Sequence, residues 1–227
     1  MQDIIIAVDG HSSCGKSTVA KEIANELNLI YIDTGAMYRA LTLYALNNNI
    51  ATKKDVNLIE LEKKIPHIDI KFSKENNRDI TLLNGKNVED KIRSIEVSNN
   101  VSAISAIPFV RKHLVKLQQE MGKKGGVILD GRDIGTVVFP NADIKIFMTA
   151  SPEVRAERRF KEMKEKGDKI SFNEVLENIK MRDYTDSNRS ESPLKKADDA
   201  LILDNSNMNR EEQLVWVKEQ LKNKGWL

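Results

Sequence analysis

Nine residues near the start of the chain form a pattern suited to binding phosphate groups. In order they are Gly10, His11, Ser12, Ser13, Cys14, Gly15, Lys16, Ser17 and Thr18. The pattern fits G-x-x-x-x-G-K-[ST], the phosphate-binding P-loop. Gly10 and Gly15 let the backbone come close to an anion, because neither has a Cβ. Lys16 can place a charge near the β- and γ-phosphates, and the Ser17 hydroxyl can bind Mg²⁺. All nine residues are therefore predicted to bind ATP or a similar nucleotide.

The segments on either side of this loop support the prediction. Residues 4–9 are an apolar, β-branched run typical of a buried parallel strand, and residues 19–27 have helical spacing of apolar side chains. Strand, glycine-rich loop and helix follow in the order that places loop N–H groups and a helix N-terminus against phosphate oxygens.

Three charged residues follow predicted strands, where ligands of open α/β sheets bind. Asp130 ends one strand, in a place suited to a carboxylate that orients Mg²⁺-bound water, and Arg132 follows directly. A turn-forming role is the alternative for Asp130. Arg39 lies a few residues beyond the second strand and could equally extend along the surface. Arginine suits such positions, because it is always charged and binds phosphate through two N–H groups.

Two further sets of charged residues share helix faces. Arg155, Arg158 and Arg159 have i, i+3, i+4 spacing, which on its own slightly favours exposed ion pairs with neighbouring glutamates. Those glutamates are Glu153, Glu157 and Glu162. Residues Arg182, Asp186 and Arg189 have i, i+4, i+7 spacing, and an ordinary ion pair between Arg182 and Asp186 is the commoner case.

The order of elements predicts an α/β fold. Five short apolar strands, separated by helices, favour a parallel five-stranded sheet with helices on both faces. Between residues 66 and 92 the pattern changes to that of a small antiparallel sheet, in which Asn84-Gly85 is a strong signal for a two-residue hairpin turn. Helices are predicted over 55–64 and 92–107, among others, and the antiparallel stretch is interpreted as an insertion.

Composition excludes several classes of protein. The 227 residues contain 36 Lys and Arg against 34 Asp and Glu, a net charge of +2, which disfavours a nucleic-acid partner. Cys14 is the single cysteine, so a reducing compartment is expected. No basic leader or membrane-spanning run is evident in the sequence, so the protein is predicted to be cytoplasmic and without a membrane partner. A monomer is also expected.

Three longer stretches resemble the bacterial cytidylate kinases, which belong to the nucleoside monophosphate kinases. They are residues 33–39, DTGAMYR, residues 130–140, DGRDIGTVVFP, and residues 182–189, RDYTDSNR. The middle stretch is the most specific, and the similarity covers nearly the whole chain. It implies transfer of phosphate from ATP to CMP and dCMP, with Mg²⁺.

The resemblance also implies a role for individual residues. Arg39, Arg132 and Arg189 would hold the CMP phosphate. Ser102, Arg111 and Asp133 would read cytosine. Arg182 and Asp186 would contact the sugar, and Thr34 would lie near the phosphate, although the family commonly has Ser where this chain has Thr34. Lys16, Arg132, Arg158 and Asp130 are the predicted catalytic residues.

The same resemblance implies how the chain is divided. It would be a single kinase domain of the P-loop NTPase type, spanning 1–227. Its core would comprise about 1–65, 108–150 and 190–227, its monophosphate-binding insertion about 66–107, and its helical lid about 152–189.

Two other functions remain open from the residues alone. A kinase for UMP, AMP or dTMP would share the P-loop, although residues 130–140 argue against it. A GTP-dependent switch would also share the loop but should carry a guanine-reading N-K-x-D, and Asn-Lys occurs only at Asn223-Lys224, followed by Gly225-Trp226.

Overall fold

The computed structural model describes residues 3–52, 55–75, 78–165 and 167–227. The strands are β1 Ile5–Gly10, β2 Ile30–Asp33, β3 Ile70–Glu75, β4 Arg78–Leu83, β5 Lys86–Asn87, β6 Val127–Gly131, β7 Ile144–Thr149 and β8 Leu201–Asp204. The α-helices are α1 Lys16–Leu27, α2 Thr34–Asn47, α3 Leu58–Lys64, α4 Ile95–Ser105, α5 Pro108–Gly122, α6 Pro152–Glu165, α7 Phe172–Asn188 and α8 Arg210–Asn223. Short 3₁₀ turns occur at Ile65–His67 and Lys91–Arg93, and a π-helix at Ile134–Val138.

These elements form two compact units. The first consists of Met1–Ile32 and Met121–Leu227, and the second of Asp33–Glu120. A five-stranded parallel sheet has the order β2-β6-β1-β7-β8. A separate three-stranded antiparallel sheet has the order β3-β4-β5. The predicted fold class is therefore confirmed.

The core of the first unit is built around β1. β1 pairs in parallel with β6 on one side and β7 on the other, so it is central in the sheet. Ile6 and Val8 of β1 are fully buried in a cluster with Ile23 of α1 and Val217 of α8. Burying side chains of this size stabilises the fold by about 1.5–3 kcal/mol each. This packing holds the carboxyl end of β1, where the P-loop begins.

In the second unit, the antiparallel sheet has the predicted hairpin. Asn84 and Gly85 have φ values of 49° and 76°, the left-handed conformations that a tight turn between β4 and β5 requires. The Asn84 side chain accepts a hydrogen bond from the Asp69 N–H at 2.8 Å, which fixes the turn to the start of β3. The sheet and helices of this unit enclose buried residues such as Met37, Leu41 and Ile104.

Two predicted helices are shorter than the sequence suggested, because side chains cap them internally. Asn57 accepts a hydrogen bond from the Glu60 N–H, so α3 begins at Leu58 rather than near residue 55. Ser94 accepts one from the Val97 N–H, so α4 begins at Ile95, after a separate 3₁₀ turn. The π-helix at Ile134–Val138 was not predicted, because five apolar and small residues carry no distinct periodicity.

Candidate active site

The two P-loop positions occupied by glycine require it for different structural reasons. Gly10 has a φ of 147°, and a Cβ there would lie 2.0 Å from the Met148 carbonyl oxygen of β7. Gly15 precedes α1 with a φ of 91°, a left-handed conformation that side chains disfavour. Gly10 is therefore required by the close approach of a neighbouring strand, a reason that the sequence pattern did not reveal.

Two carbonyl groups of the P-loop are held by side chains from distant elements. Arg155 of α6 donates from Nη1 to the Ser12 carbonyl at 3.2 Å. Asn205, directly after β8, donates from Nδ2 to the Cys14 carbonyl at 2.7 Å. Because a trans peptide places the next N–H opposite the carbonyl, the N–H groups of Ser13 and Gly15 point away from these anchors.

The Lys16 side chain folds back into the P-loop. Its Nζ donates to the His11 carbonyl at 2.7 Å and lies 3.7 Å from the Cys14 Sγ. Burial, together with the nearby charge of Arg132, lowers the pKa of Lys16. The His11 ring meets Phe147 edge-on at 6.0 Å, and burial lowers the pKa of His11. The Lys16 charge is thus buried in the loop, where the carboxylates of Asp130 and Asp9 act on it in the opposite direction from Arg132.

The hydroxyl and carboxylate predicted to serve Mg²⁺ are adjacent. The Ser17 Oγ donates to the Asp130 Oδ2 at 2.8 Å, and the Tyr31 hydroxyl donates to the Asp130 Oδ1 at 2.8 Å. Thr18, the last residue of the pattern, lies in the first turn of α1. Asp130 is thus oriented toward the P-loop rather than serving only to form a turn. Tyr31 is a partner that the sequence analysis missed.

The arginines of α6 differ from the expected exposed face. Arg155 is 2% exposed and pairs with Asp183 of α7 at 2.7 Å, and Arg158 donates to the side chain and main chain of Asn205 at 3.0 and 2.8 Å. The expected pairs with Glu153 and Glu157 are therefore wrong for these two, because α7 and the loop after β8 supply buried partners. The expected pair of Arg159 with Glu162 is confirmed, at 3.3 Å.

Five predicted substrate residues form one charge network in the first unit. The Arg132 Nε donates to the Asp186 Oδ2 at 2.8 Å. Arg189 lies 3.7 Å from Asp186 and 3.9 Å from Asp133, and both carboxylates are almost fully buried. Burial acts to raise the pKa of Asp186, but Arg132, Arg182 and Arg189 lower it below its usual value. Asp186 is thus an ion-pair partner of Arg132 on another element, and the positive charge of Arg182 acts on the same carboxylate.

Arg39 of the second unit is fixed by an ion pair rather than extended along the surface. Its Nη2 donates to the Asp33 Oδ2 at 2.9 Å, and Asp33 also caps α2 by accepting from the Ala36 N–H. Arg93 lies 3.4 Å from the same carboxylate oxygen. Burial acts to raise the pKa of Asp33, but Arg39 and Arg93 hold it below its usual value. Thr34, the first residue of α2, is 3% exposed.

The residues predicted to read the base in this unit are linked through Ser105. The Arg111 Nη1 donates to the Ser105 carbonyl at 3.1 Å, and the Ser105 Oγ donates to the Ser102 carbonyl at 3.1 Å. The Arg111 guanidinium also lies 5.3 Å from the centre of the Tyr38 ring. Ser102 of α4 and Arg111 of α5 are thus near neighbours.

The structure identifies two P-loop supports that the sequence analysis missed, Arg155 and Asn205. Asn205 follows β8 at the carboxyl edge of the sheet, the same rule that singled out Arg132, so a signal for it existed. Arg155 carried no signal beyond helical spacing, because its partners lie far away in sequence.

The raised pKa of Asp9, the residue before Gly10, predicts how the stability of the protein depends on pH. Burial, the largest influence, raises the pKa of Asp9 from 3.8 to about 6, despite hydrogen bonds from the N–H groups of Gly135 and Ile134. A folded pKa above the unfolded one adds stability at low pH that is lost as the pH rises through about 6. The full difference is about 3 kcal/mol, of which about 1.4 kcal/mol falls between pH 5 and 7.5.

Urea unfolding of the wild type and Asp9→Asn at pH 5 and 7.5 measures this contribution. The free energy of unfolding of the wild type, relative to the variant, should be about 1.4 kcal/mol larger at pH 5 than at pH 7.5. A difference that is constant, or larger at pH 7.5, would contradict the assigned pKa.

The sequence model described as cytidylate kinase matches residues 6–223. The chain belongs to the cytidylate kinase family. The cytidylate kinase of Bacteroides thetaiotaomicron is 56% identical over 222 residues, which cover 97% of each chain. That of Flavobacterium johnsoniae is 51% identical over 223 residues, which cover 96% of each chain. Membership confirms the resemblance drawn from the three motifs, and with it that the chain is a kinase.

A solved structure shares the fold of this cytidylate kinase family member at much lower identity. It is an uncharacterized protein from Eubacterium ventriosum, 13% identical, with a TM-score of 0.50 over 98% of this chain and 99% of that chain. The likeness concerns the fold alone. In the part of the chain that the structure describes, none of the helices combines the length and hydropathy needed to cross a membrane.

Proposed function

We propose that this protein transfers the γ-phosphoryl group of ATP to CMP and dCMP, producing ADP with CDP or dCDP. The observation that carries the proposal is membership in the cytidylate kinase family over residues 6–223. The charge network around Asp133 and the arginines agrees with an anionic acceptor that carries a base.

The donor binds at the P-loop, residues 10–18. Arg155 and Asn205 hold two loop carbonyls, which orients the following N–H groups toward the phosphates of ATP. Lys16 is already buried within the loop, so the charge of bound phosphates compensates its burial. ATP is thus held mostly by backbone N–H groups and one lysine.

Mg²⁺ fits the oxygen donors beside Lys16. Ser17 would bind the ion directly and Asp130 would orient its water ligands, since the two side chains are 2.8 Å apart and both supply oxygen. Bound Mg²⁺ would offset negative charge on the β- and γ-phosphates. Tyr31 holds the Asp130 carboxylate in place for this role.

Acceptor binding is assigned to residues of the first unit and to residues of the second. In the first unit, Arg132 and Arg189 bind the CMP phosphate, Asp133 accepts from the cytosine amino group, and Arg182 and Asp186 contact the sugar. In the second unit, Arg39 binds the phosphate, Thr34 lies near it, and Ser102 and Arg111 donate to cytosine. A carboxylate acceptor with two donors complements the amino group, O2 and N3 of cytosine.

The chemical step needs positioning and charge rather than a strong base. A CMP phosphate oxygen, already anionic, attacks the γ-phosphorus of ATP, and the bond to the bridging oxygen breaks so that ADP leaves with the electron pair. Lys16, Arg132 and Arg158 stabilise charge on the transferred group. Residues 152–189 form a lid that excludes water when it closes.

We extend the same proposal to the organisation and setting of the protein. The chain would work as one kinase domain with an acceptor-binding insertion at about 66–107, a lid at about 152–189 and the remainder as core. It would act as a monomer in the cytoplasm, without nucleic acid or a membrane as partner.

Replacing Asp133 tests the reading of the base. Asp133→Ala should raise the KM for CMP by about 10- to 100-fold, because the cytosine amino group loses its acceptor in a closed site. The KM for ATP should stay within about twofold. Steady-state kinetics with each substrate varied in turn measures both constants, and an equal rise in the two would contradict the assignment.

The identity of the products tests the function itself. ATP, CMP and Mg²⁺ are incubated with the protein and the nucleotides are separated by chromatography. Equal amounts of ADP and CDP are expected. ADP with inorganic phosphate and no CDP would contradict phosphoryl transfer to CMP and would favour the nucleotide-switch alternative.

A further inference from the structure

Asp9 is a buried carboxylate that the proposed mechanism does not use. It is the next-to-last residue of β1, directly before Gly10 of the P-loop, and is 5% exposed. Its Oδ1 accepts from the Ile134 N–H at 2.8 Å and its Oδ2 from the Gly135 N–H at 2.7 Å. A single side chain thus binds two consecutive backbone donors that lie 125 and 126 residues away.

These two donors begin the π-helix that follows Asp133. Asp133 occupies the N-cap position of that helix, where an aspartate side chain ordinarily accepts from the first turn. Among the residues that the structure describes, Asp133 makes no such capping bond. The capping carboxylate is instead supplied by Asp9 from another element, so the Asp133 carboxylate is not used for the cap.

The segment that follows Asp133 is also held by a side chain near its C-terminal end, at Pro140. The Lys145 Nζ of β7 donates to the Pro140 carbonyl and pairs with Asp199 at 2.9 Å. A Cβ at Gly135 would lie 3.0 Å from the Lys145 Cδ and 3.4 Å from the Asp9 Oδ2. The charges of Asp133 and Lys16 also act on Asp9. The position of Asp133 therefore depends on a tightly filled junction that has Asp9 at its centre.

We infer that Asp9 is a positioning residue for acceptor recognition, which caps the π-helix so that the Asp133 carboxylate is held in place for the base of the nucleoside monophosphate. The inference rests on the proposed function, because it takes Asp133 as the group that reads cytosine. It gives Asp9 a role in the choice of acceptor, although Asp9 adjoins the loop that binds the donor.

Kinetics of Asp9→Asn test this role. An asparagine keeps one acceptor oxygen but presents an N–H₂ to the second backbone donor, so the cap is weakened while size is retained. The KM for CMP should rise about tenfold and the preference for CMP over UMP should fall. The KM for ATP should stay within about twofold. Equal rises for CMP and ATP, or no rise for CMP, would overturn the inference.

A double-mutant cycle separates positioning from an independent effect. If Asp9 acts through Asp133, the KM for CMP of the Asp9→Asn/Asp133→Asn double variant should match that of Asp133→Asn within about twofold. Independent, multiplying effects would overturn the inference. If Asp133→Asn alone leaves the KM for CMP unchanged, the base-reading role in the proposed function fails and the inference fails with it. A rise with Asp133→Asn but not with Asp9→Asn refutes only the positioning role.

Two further variants keep the test informative. Asp143→Asn is the matched control, because the exposed Asp143 carboxylate also accepts from a β1 backbone N–H, that of Ile5 at 2.8 Å, and it should leave both KM values unchanged. If Asp9→Asn does not fold, Gly135→Ala disturbs the same junction while keeping Asp9. It should raise the KM for CMP by at least about threefold, with the KM for ATP within twofold. Unchanged values for both substrates would overturn the inference.

Discussion

Replacing Arg158 with alanine should lower kcat by about 10³-fold or more, the size of effect seen for arginines that stabilise phosphoryl transfer. Arg158 donates two hydrogen bonds to Asn205, which in turn binds the Cys14 carbonyl of the P-loop. Asn205 thus links the Arg158 guanidinium to the P-loop, the proposed ATP site. Rapid-quench or steady-state measurement of kcat with saturating CMP and ATP tests the expectation.

Two companion variants show whether Arg158 acts on the phosphates or only supports Asn205. Arg159→Ala is the control, since Arg159 pairs with the exposed Glu162 on the same helix, and it should change kcat by less than about twofold. Asn205→Ala removes the partner of Arg158 but leaves its charge. A loss with Asn205→Ala as large as that with Arg158→Ala would assign Arg158 a supporting role, and a near-wild-type kcat for Arg158→Ala would remove it from the site.

Replacing Arg132 with methionine should reduce kcat/KM for CMP by about 10³-fold and also destabilise the protein by about 3 kcal/mol. The activity should fall because the proposed role of Arg132 is to bind the acceptor phosphate, and the variant lacks that cation. The stability falls because Asp186 loses Arg132, its nearest partner at 2.8 Å, and keeps only the charges of Arg182 and of Arg189, which lies 3.7 Å away. Steady-state kinetics and urea unfolding measure the two effects separately.

Adding Asp186→Asn to the Arg132 variant distinguishes catalysis from stability. The double variant removes the buried charge that lost its partner, so most of the stability should return. Its kcat/KM for CMP should nevertheless remain at least about 100-fold below that of Asp186→Asn alone. Recovery of activity together with stability would contradict a direct role of Arg132 and leave it a structural residue.

The parts of the fold and of the site that could be predicted are those that a local rule determines. The P-loop pattern, the carboxyl end of a buried strand at Asp130 and the Asn84-Gly85 turn each depend on a few consecutive residues. In each case a few neighbouring residues determine the backbone conformation, without contacts from distant parts of the chain.

The parts that could not be predicted are contacts across long stretches of chain. Asn205 binds a carbonyl 191 residues away, and Arg155 binds one 143 residues away. Helical spacing shows which arginines share a face of α6, but not that α7 and the loop after β8 approach that face. For the same reason, spacing favoured the glutamates of α6 as partners, an expectation that was wrong for Arg155 and Arg158.

Asp9 shows the same limit of sequence-based prediction for a residue directly beside a recognised motif. Its place before Gly10 makes it part of an ordinary strand end in the sequence. Its proposed role depends on the unpredicted π-helix at Ile134–Val138, whose first N–H groups are 125 and 126 residues away in the sequence. A residue beside a motif can therefore serve a different part of the site from the motif itself.

The most direct test of the central claim is a comparison of acceptors. ADP formation from Mg·ATP is followed in a coupled assay with CMP, dCMP, UMP, AMP and dTMP, each at the same concentration, to obtain kcat/KM. The values for CMP and dCMP should exceed those for the other three by at least about tenfold, because the proposed base-reading residues Ser102, Arg111 and Asp133 would complement cytosine. A highest value for UMP, AMP or dTMP would contradict the cytosine-reading site.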